Sequence, residues 1–148
     1  MAKSRFSYSL DDLKSLVADV LLEATRQGAT ATDAQVSEGF GQTVTVRKGE
    51  IETLEHNRDK EIGVSCYVGK RQGYASTSDF NARAIRDTVE KAVTIARFTA
   101  EDEANGLAEP ELLAREIHDL DLYHPWDVSV DEAVDTAPLG ARGANETG

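Results

Sequence analysis

The sequence predicts an α+β fold: an N-terminal helix, an antiparallel sheet of four to five strands in meander order, and a second helix packed on the same layer. Residues 9–27 and 79–99 repeat apolar side chains at three- and four-residue steps, the period of an amphipathic helix. Between them the period changes to two, with turn residues between short runs, as antiparallel strands require. No strand leads into a phosphate-binding glycine loop, so a doubly wound fold is not expected.

The first predicted helix extends from about Ser9 to Gln27. Ser9 and Asp12 have the spacing of a capping box, and Gly28 supplies a left-handed end. The apolar stripe of this helix consists of Leu10, Leu13, Leu16, Val17, Val20, Leu21 and Ala24.

Five short runs make up the predicted sheet, with turns at Gly49 and at residues 69–73. The fourth run is the most apolar and includes Cys66, which its alternation predicts to be a buried small hydrophobe. The runs are Ala34 to Gly39, Gln42 to Lys48, Glu50 to Asn57, Ile62 to Gly69 and Tyr74 to Thr77. One face of the sheet requires a helical cover, because a sheet wet on both sides buries too little apolar area.

The second predicted helix, from about Asp79 to Thr99, supplies that cover. Its stripe is rich in alanine, which permits close packing against the sheet. The stripe consists of Ala84, Ile85, Val89, Ala92, Val93 and Ala96.

The net charge of -11 lies entirely in one segment. Residues 1–100 hold 14 acids and 14 bases, whereas residues 101–135 hold 12 acids and only Arg115. Such a segment repels phosphate, so we expect no nucleic-acid binding through a basic surface. It is interpreted either as a solvated connector or as a contact surface for a basic partner.

Charge and periodicity together predict the domain organisation. Residues 1–100 form the helix, sheet, helix domain; residues 101–137 form an acidic linker with short helices; residues 138–148 form a disordered or aberrant tail. Ser129 and Glu132 mark the start of a third helix, which Pro138 is expected to stop.

The single cysteine excludes an internal disulfide and indicates a reducing compartment. No apolar run reaches the length of about 18 residues that a membrane span requires. The start, Met1 to Leu10, lacks an apolar signal core. We therefore expect a soluble, cytoplasmic protein without membrane contact.

No residue set in the sequence points to catalysis or metal binding, so no catalytic residue and no metal ligand is predicted in this chain. His118 and His124 are six residues apart, a poor fit to one helix face. His56 is expected to be an exposed turn residue.

Several segments, matched in order, resemble one protein family. They include Arg47, Gly49, Glu50 and Ile51, the glycine at position 63, the GYASTSD stretch over residues 73–79, the AVTIARFT helix end and the DLDLYHP stretch over residues 119–125. With these features the chain resembles the N-terminal domain of the TldD/PmbA family, most closely the PmbA (TldE) branch.

The resemblance implies a cytoplasmic bacterial zinc peptidase built from two related subunits, TldD and PmbA/TldE. Such a peptidase degrades unfolded peptides and processes peptide antibiotic precursors, and the family is also described as a modulator of DNA gyrase. Its metal ligands belong to the TldD subunit, in a His-Glu-x-x-x-His motif with a later cysteine, and this sequence lacks that motif. The resemblance therefore places zinc in a TldD-like partner. From Pro138 onward the sequence departs from the family pattern.

Two functions stay open at this point. The chain is either a non-catalytic subunit domain of a peptidase complex, whose exposed strand edge accepts an extended peptide, or a stand-alone protein or peptide interaction module. Arg47, Glu50 and Arg71 are candidate partner or peptide contacts, and solvated strand and turn charges are the alternative interpretation. The expected partners are a TldD-like metallopeptidase subunit and peptide substrates.

Overall fold

The computed structural model describes residues 6–146 and confirms the α+β fold class. The elements are α1 (Leu10–Arg26), β1 (Ala31–Arg47), β2 (Glu50–Val68), β3 (Arg71–Thr77), α2 (Ala82–Phe98), a 3-10 turn (Pro110–Leu112) and α3 (Val130–Glu146). The strands form a sheet in the order β1-β2-β3, so the predicted meander is present. Residues 1–5 and 147–148, which belong to the start of the chain and to the predicted tail, lie outside the described residues.

The described part of the chain has three strands, so the prediction of four to five is not confirmed. The first two predicted runs are one strand, because the backbone stays extended through Gly39 and Gly41. The third and fourth runs are likewise joined, through residues 58–61. Glycine in a strand weakens it without breaking it. The predicted turn at Gly49 is present, and Lys48 and Gly49 both have positive φ, at 53° and 84°, as a type I′ hairpin requires.

The chain forms two compact units. One consists of the chain up to Gly39 together with Arg58–Leu113, and the other of Phe40–Asn57 together with the chain from Ala114 onward. Strands β1 and β2 run through both units. The domain boundaries expected at residues 100 and 137 stay predictions.

The core of the first unit lies between the two helices and one face of the sheet. Its strand side chains come from alternate residues of β2, which confirms the predicted alternation and the burial of Cys66. Its helical side chains include most of the stripe predicted for α2. The buried residues of this core are Val20, Ala24, Ile62, Val64, Cys66, Phe80, Ile85, Val89, Ala92 and Val93.

Helix α2 lies directly on the backbone of β3. A Cβ atom added at Gly73 would overlap the carbonyl oxygen of Ala92 and the nitrogen of Ala96. Both alanines are fully buried. The Ala-rich face of the helix therefore packs closely on the sheet, as its sequence predicts.

The predicted capping box at the start of α1 is present. The Asp12 nitrogen donates to Ser9 Oγ at 3.1 Å, and the Ser9 nitrogen donates to Asp12 Oδ2 at 2.8 Å. The Ser9 hydroxyl also donates to Asp12 Oδ2, at 2.6 Å, and this bond, followed by that from the Ser9 nitrogen, lowers the pKa of Asp12. Gly28 has a φ of 94°, which confirms the left-handed end of the helix.

Two other predicted helix ends differ from the structure. Helix α2 begins at Ala82 rather than Asp79, because Asn81 Oδ1 accepts a bond from the Ala84 nitrogen at 2.8 Å and forms the cap. Helix α3 begins after the predicted box of Ser129 and Glu132 but continues through Pro138 to Glu146. The prediction that Pro138 stops it is wrong: proline removes one backbone donor, and the neighbouring turns keep theirs.

Substitution of Ser9 tests the cap of α1. Ser9→Ala is expected to lower the free energy of unfolding by about 1 kcal/mol, because a first-turn donor loses its acceptor. Since the pKa of Asp12 is lowered in the folded protein, the contribution of this carboxylate is present above its ordinary pKa and is lost as the pH falls through the folded-state pKa. Urea unfolding at about pH 7 and at about pH 3 measures both effects. Ser15→Ala, on the exposed side of the same helix, is the control, and an equal loss in both variants would contradict the prediction.

Substitution of Gly73 tests the contact between α2 and β3. Gly73→Ala is expected to lower the free energy of unfolding by about 2 to 3 kcal/mol, because the new methyl group meets helix backbone that cannot yield locally. Gly41→Ala is the matched control, since a Cβ there meets nothing within 4 Å, and its effect should stay within about 0.5 kcal/mol. Urea unfolding measures the free energy of unfolding of both variants. A similar decrease in the two would show that Gly73 is not a contact point.

Candidate functional site

The sheet of the first unit has one face beneath the helices and one face directed away from them. Successive strand residues point to opposite faces, so the neighbours of the buried β2 residues Ile62, Val64 and Cys66 lie on the second face. We call this second face the outer face. It includes Asp33, Gln35, Ser37, Asp59, Glu61, Gly63, Ser65, Tyr67, Gln72, Tyr74 and Ser76. Its charged residues are all acidic.

Part of the outer face forms a shallow depression of about 120 Å³. The Tyr74 hydroxyl donates to Glu61 Oε1 at 3.2 Å, and a Cβ atom added at Gly63 would lie 2.8 Å from that hydroxyl. Gly63 therefore leaves the room that lets the phenol lie across β2. The lining residues are Asp33, Gln35, Ser37, Glu61, Gly63, Ser65 and Tyr74, and they combine two carboxylates with hydroxyl groups and one half-exposed aromatic ring.

Strand β3 pairs with only the C-terminal part of β2, which begins much earlier, at Glu50. Their antiparallel register runs from Val68 opposite Arg71 to Ile62 opposite Thr77. The chain then turns away from the sheet, because Thr77 Oγ1 accepts a bond from the Asp79 nitrogen and Asp79 Oδ1 accepts one from the Asn81 nitrogen, both at 3.1 Å. Within residues 6–146, no strand pairs with β2 on this side beyond Ile62. We call this side of residues 59–61 the open edge.

A groove of about 970 Å³ lies across this end of the sheet, lined by residues 37–39 of β1, residues 58–61 of β2 and residues 76–78 at the end of β3. The Lys60 ammonium lies 4.8 Å from the centre of the Phe80 ring, so this side chain belongs to the helix side of the sheet. Glu38 accepts bonds there from the Ser7 and Tyr8 nitrogens, which lower the pKa of its carboxyl, with the Ser7 bond contributing most. By alternation, Asp59 and Glu61 lie on the outer face.

The candidate contacts Arg47, Glu50 and Arg71 fall in different units. Arg47 and Glu50 flank the β1–β2 turn, where the Arg47 side chain is 71% exposed and its Nη1 lies 3.1 Å from Glu52 Oε1. Arg71 begins β3 in the first unit, where its Nη2 lies 3.3 Å from Glu101 Oε1 and its Nη1 donates to the Arg97 carbonyl oxygen. The role of these residues as contacts stays a prediction.

The histidines do not converge. His56 lies within β2 rather than in a turn, and its ring centre is 6.4 Å from that of Phe40. His124 Nε2 lies 3.7 Å from Asp121 Oδ2. In the part of the chain that the structure describes, no three His, Cys, Asp or Glu side chains are grouped to hold a metal ion.

Sequence reasoning missed the outer face as a site. The available signal was the alternating polar series Asp33, Gln35 and Ser37 in β1 together with Glu61, Gly63 and Ser65 in β2. Periodicity shows that such residues share a face within one strand. It does not show which residues of neighbouring strands come together.

Comparison with known proteins identifies a matching family model and several relatives. The family model for domain 1 of PmbA/TldA metallopeptidases matches residues 32–96. The chain is 40% identical over 126 residues to a metalloprotease PmbA homolog of Haemophilus influenzae. The aligned region covers 85% of this chain and 28% of that relative. The chain is also 40% identical over 123 residues to the metalloprotease PmbA of Escherichia coli O157:H7, covering 83% of this chain and 27% of that relative.

Two crystal structures share the fold. TldE from Thermococcus kodakarensis superimposes with a TM-score of 0.65 at 16% identity, covering 86% of this chain and 29% of that one. A Bacteroides thetaiotaomicron protein described as a candidate modulator of DNA gyrase superimposes with a TM-score of 0.67 at 21% identity, covering 75% of this chain and 25% of that one.

The fold and these matches define a first domain of the PmbA/TldA metallopeptidase type, so the chain belongs to the TldD/PmbA family. Within the family it belongs to the PmbA branch and corresponds to the N-terminal domain. The chain spans just over a quarter of the length of the curated relatives it matches. None of the helices in residues 6–146 has the length and apolar character needed to cross a membrane.

The reactivity of Cys66 tests its assignment as a core residue. Burial raises the pKa of this thiol, against a weaker opposing effect of its hydrogen bond with Thr32. A thiol-specific disulfide reagent should therefore label the folded protein about a hundredfold or more slowly than the urea-unfolded protein. The double variant Cys66→Ala with Ser65→Cys moves the thiol to the outer face and should be labelled quickly. Rapid labelling of Cys66 in the folded protein would identify an accessible thiolate instead.

Proposed function

We propose that this chain serves as the N-terminal domain of a PmbA/TldE-like subunit in a cytoplasmic zinc peptidase completed by a TldD-like subunit. The observation that carries the proposal is the 40% identity to PmbA relatives that are named metalloproteases. The substrates in this proposal are unfolded peptides and peptide antibiotic precursors. The chain itself contributes contacts and performs no step of the hydrolysis.

The proposal places the zinc in the TldD-like subunit. A hydrolytic zinc requires three protein ligands in a fixed geometry and one open position for water. The described histidines lie on separate segments, and no ligand group is assembled around any of them. Residues of this chain are therefore assigned no role at the metal.

A protein or peptide partner fits the charge better than a nucleic acid does. The bases of residues 1–100 are matched by acids, and the segment from 101 to 135 adds twelve acids against one base. The outer face likewise presents carboxylates. Duplex binding requires several converging basic side chains, since phosphate contacts supply much of the affinity.

A stand-alone interaction module is the second candidate function. The first unit supports it, because two helices and the sheet enclose a core within this chain. In that case the chain would bind a protein or peptide without belonging to a peptidase. Capture of a metal-bearing subunit separates the two functions.

Co-expression with a TldD-like subunit from the same genome tests the proposed function. The purified pair should contain both chains and zinc, and peptide cleavage should require the pair and be lost on chelation. The double variant Arg47→Glu with Glu50→Lys should weaken capture about tenfold, because it reverses charges on an exposed hairpin end. Lys14→Glu, an exposed charge on α1, is the matched control.

Chelator-sensitive peptide cleavage by this chain alone would contradict the proposal. Failure of the unaltered chain to capture the TldD-like subunit would favour the module instead. Equal capture by the hairpin variant and the Lys14 control would remove Arg47 and Glu50 from the interface while leaving the partner in place.

A further inference from the structure

We infer that the depression on the outer face binds the guanidinium group of an arginine side chain, carried by a peptide that lies on this face of the sheet. The inference rests on the proposed function in one respect, since it takes a peptide as the occupant. The depression itself lies wholly within the first unit, on side chains of β1, β2 and β3.

Two carboxylates without a cationic partner border the depression. Glu61 accepts a bond from the Tyr74 hydroxyl, and within residues 6–146 neither Asp33 nor Glu61 forms an ion pair with a basic side chain. The basic residues just before Glu61 in β2, Arg58 and Lys60, belong by alternation to the helix side of the sheet. The depression therefore carries negative charge that its own strands do not neutralise.

The Tyr74 ring adds an aromatic surface to these carboxylates. A Cβ atom added at Gly63 would lie 2.8 Å from the Tyr74 hydroxyl and 3.3 Å from its Cε2, so the phenol lies across this glycine. Tyr74 is nevertheless 55% exposed, which leaves part of the ring accessible to a ligand. Aromatic rings attract cations, and the bond to Glu61 holds this ring beside a carboxylate. One cation can therefore contact both groups.

The depression has the size of a single side-chain head group. Its volume of about 120 Å³ is well below the range of about 300 to 1,000 Å³ in which small-molecule sites fall. Phosphate and carboxylate ligands would meet Asp33 and Glu61, which repel them. The lining therefore favours the cationic end of a basic side chain.

Arginine fits this lining better than lysine does. The acceptors are spread out, since Glu61 and Ser65 lie four residues apart in β2, or about 13 Å at about 3.3 Å per residue. A guanidinium group offers five N–H donors in one plane and stacks on aromatic rings, whereas an ammonium group offers three donors around one point. The acceptors of the depression are the carboxylates of Asp33 and Glu61, the hydroxyls of Ser37 and Ser65 and the amide oxygen of Gln35.

A peptide suits the depression better than a stable protein partner does. One head group in a shallow depression gives weak, rapidly reversible binding, whereas stable protein interfaces bury about 1,200 to 2,000 Å². Symmetric pairing of two copies through this face would bring Asp33 and Glu61 of one copy toward the same carboxylates of the other. Such like-charge contacts oppose association.

Three blocked five-residue peptides test the inference on the full 148-residue chain. They differ only in the central residue, which is arginine, lysine or citrulline among glycine and alanine; citrulline keeps the shape of arginine without its charge. In amide NMR titrations the arginine peptide should shift the signals of Gly63, Ser65 and Tyr74 in a saturable way. It should bind at least about threefold more tightly than the lysine peptide and about tenfold more tightly than the citrulline peptide.

Neutral isosteres of the two carboxylates separate the depression from general charge attraction. The double variant Asp33→Asn with Glu61→Gln should weaken binding of the arginine peptide at least about tenfold. The matched control is Asp19→Asn with Glu90→Gln, on exposed positions of α1 and α2. It makes the same change in net charge and should leave the affinity within about twofold.

Three results would overturn the inference. Equal binding of the arginine and citrulline peptides would show that the depression does not recognise charge. Lysine binding as tight as arginine binding would show that a point charge suffices. Signal shifts confined to residues 101–135 would show that the acidic segment, and not the depression, attracts the peptide.

Capture of the TldD-like subunit keeps the two proposals separate. A chain that captures the subunit but does not bind the arginine peptide overturns this inference and leaves the proposed function intact. A chain that binds the arginine peptide at the depression but captures no such subunit supports the inference and overturns the proposed function. Loss of capture in the Asp33 and Glu61 double variant would make the depression a subunit contact and overturn its assignment to a peptide.

Discussion

The contact between α2 and the backbone of β3 is the constraint on which the first unit depends. Because Gly73 has no side chain, Ala92 and Ala96 bring the helix onto the strand itself. That approach places the larger side chains of α2 against alternate residues of β2 and closes the core. With both helices on one face, the other face of the sheet is left to polar residues, and the outer face follows from the way the core is built.

Local signals in the sequence were sufficient for α1 and for the core face of β2. Ser9 with Asp12 and Gly28 define the ends of α1 because capping depends on neighbours in the chain. The number of strands could not be obtained in the same way. Gly39 and Gly41 favour a turn locally, yet pairing with a neighbouring strand keeps them extended. Pro138 failed as a stop signal for a related reason, since one missing donor does not decide the state of the turns around it.

The candidate site was harder to predict than the fold. Motif resemblance directed attention to Arg47, Glu50 and Arg71, which are charged residues near turns. The outer face depends instead on strand register, which places Ser65 opposite Tyr74 and lets the phenol reach Glu61 across Gly63. Composition and periodicity do not reveal why a glycine is needed at such a position. Its role appears only when the side chain of the neighbouring strand has been placed.

The open edge and the packing of α2 have a common origin in the turn between β3 and the helix. Asp79 and Asn81 bond the chain into that turn, and the bond from Ala84 to Asn81 starts the helix at the position that brings Ala92 over Gly73. The same turn ends the pairing of β3 with β2 at Thr77, opposite Ile62. An unpaired edge invites non-specific association unless charge restricts its partners. Asp59 and Glu61 lie on the outer face at that end of the sheet, so the turn that completes the core also determines where β3 stops covering the side of this acidic surface.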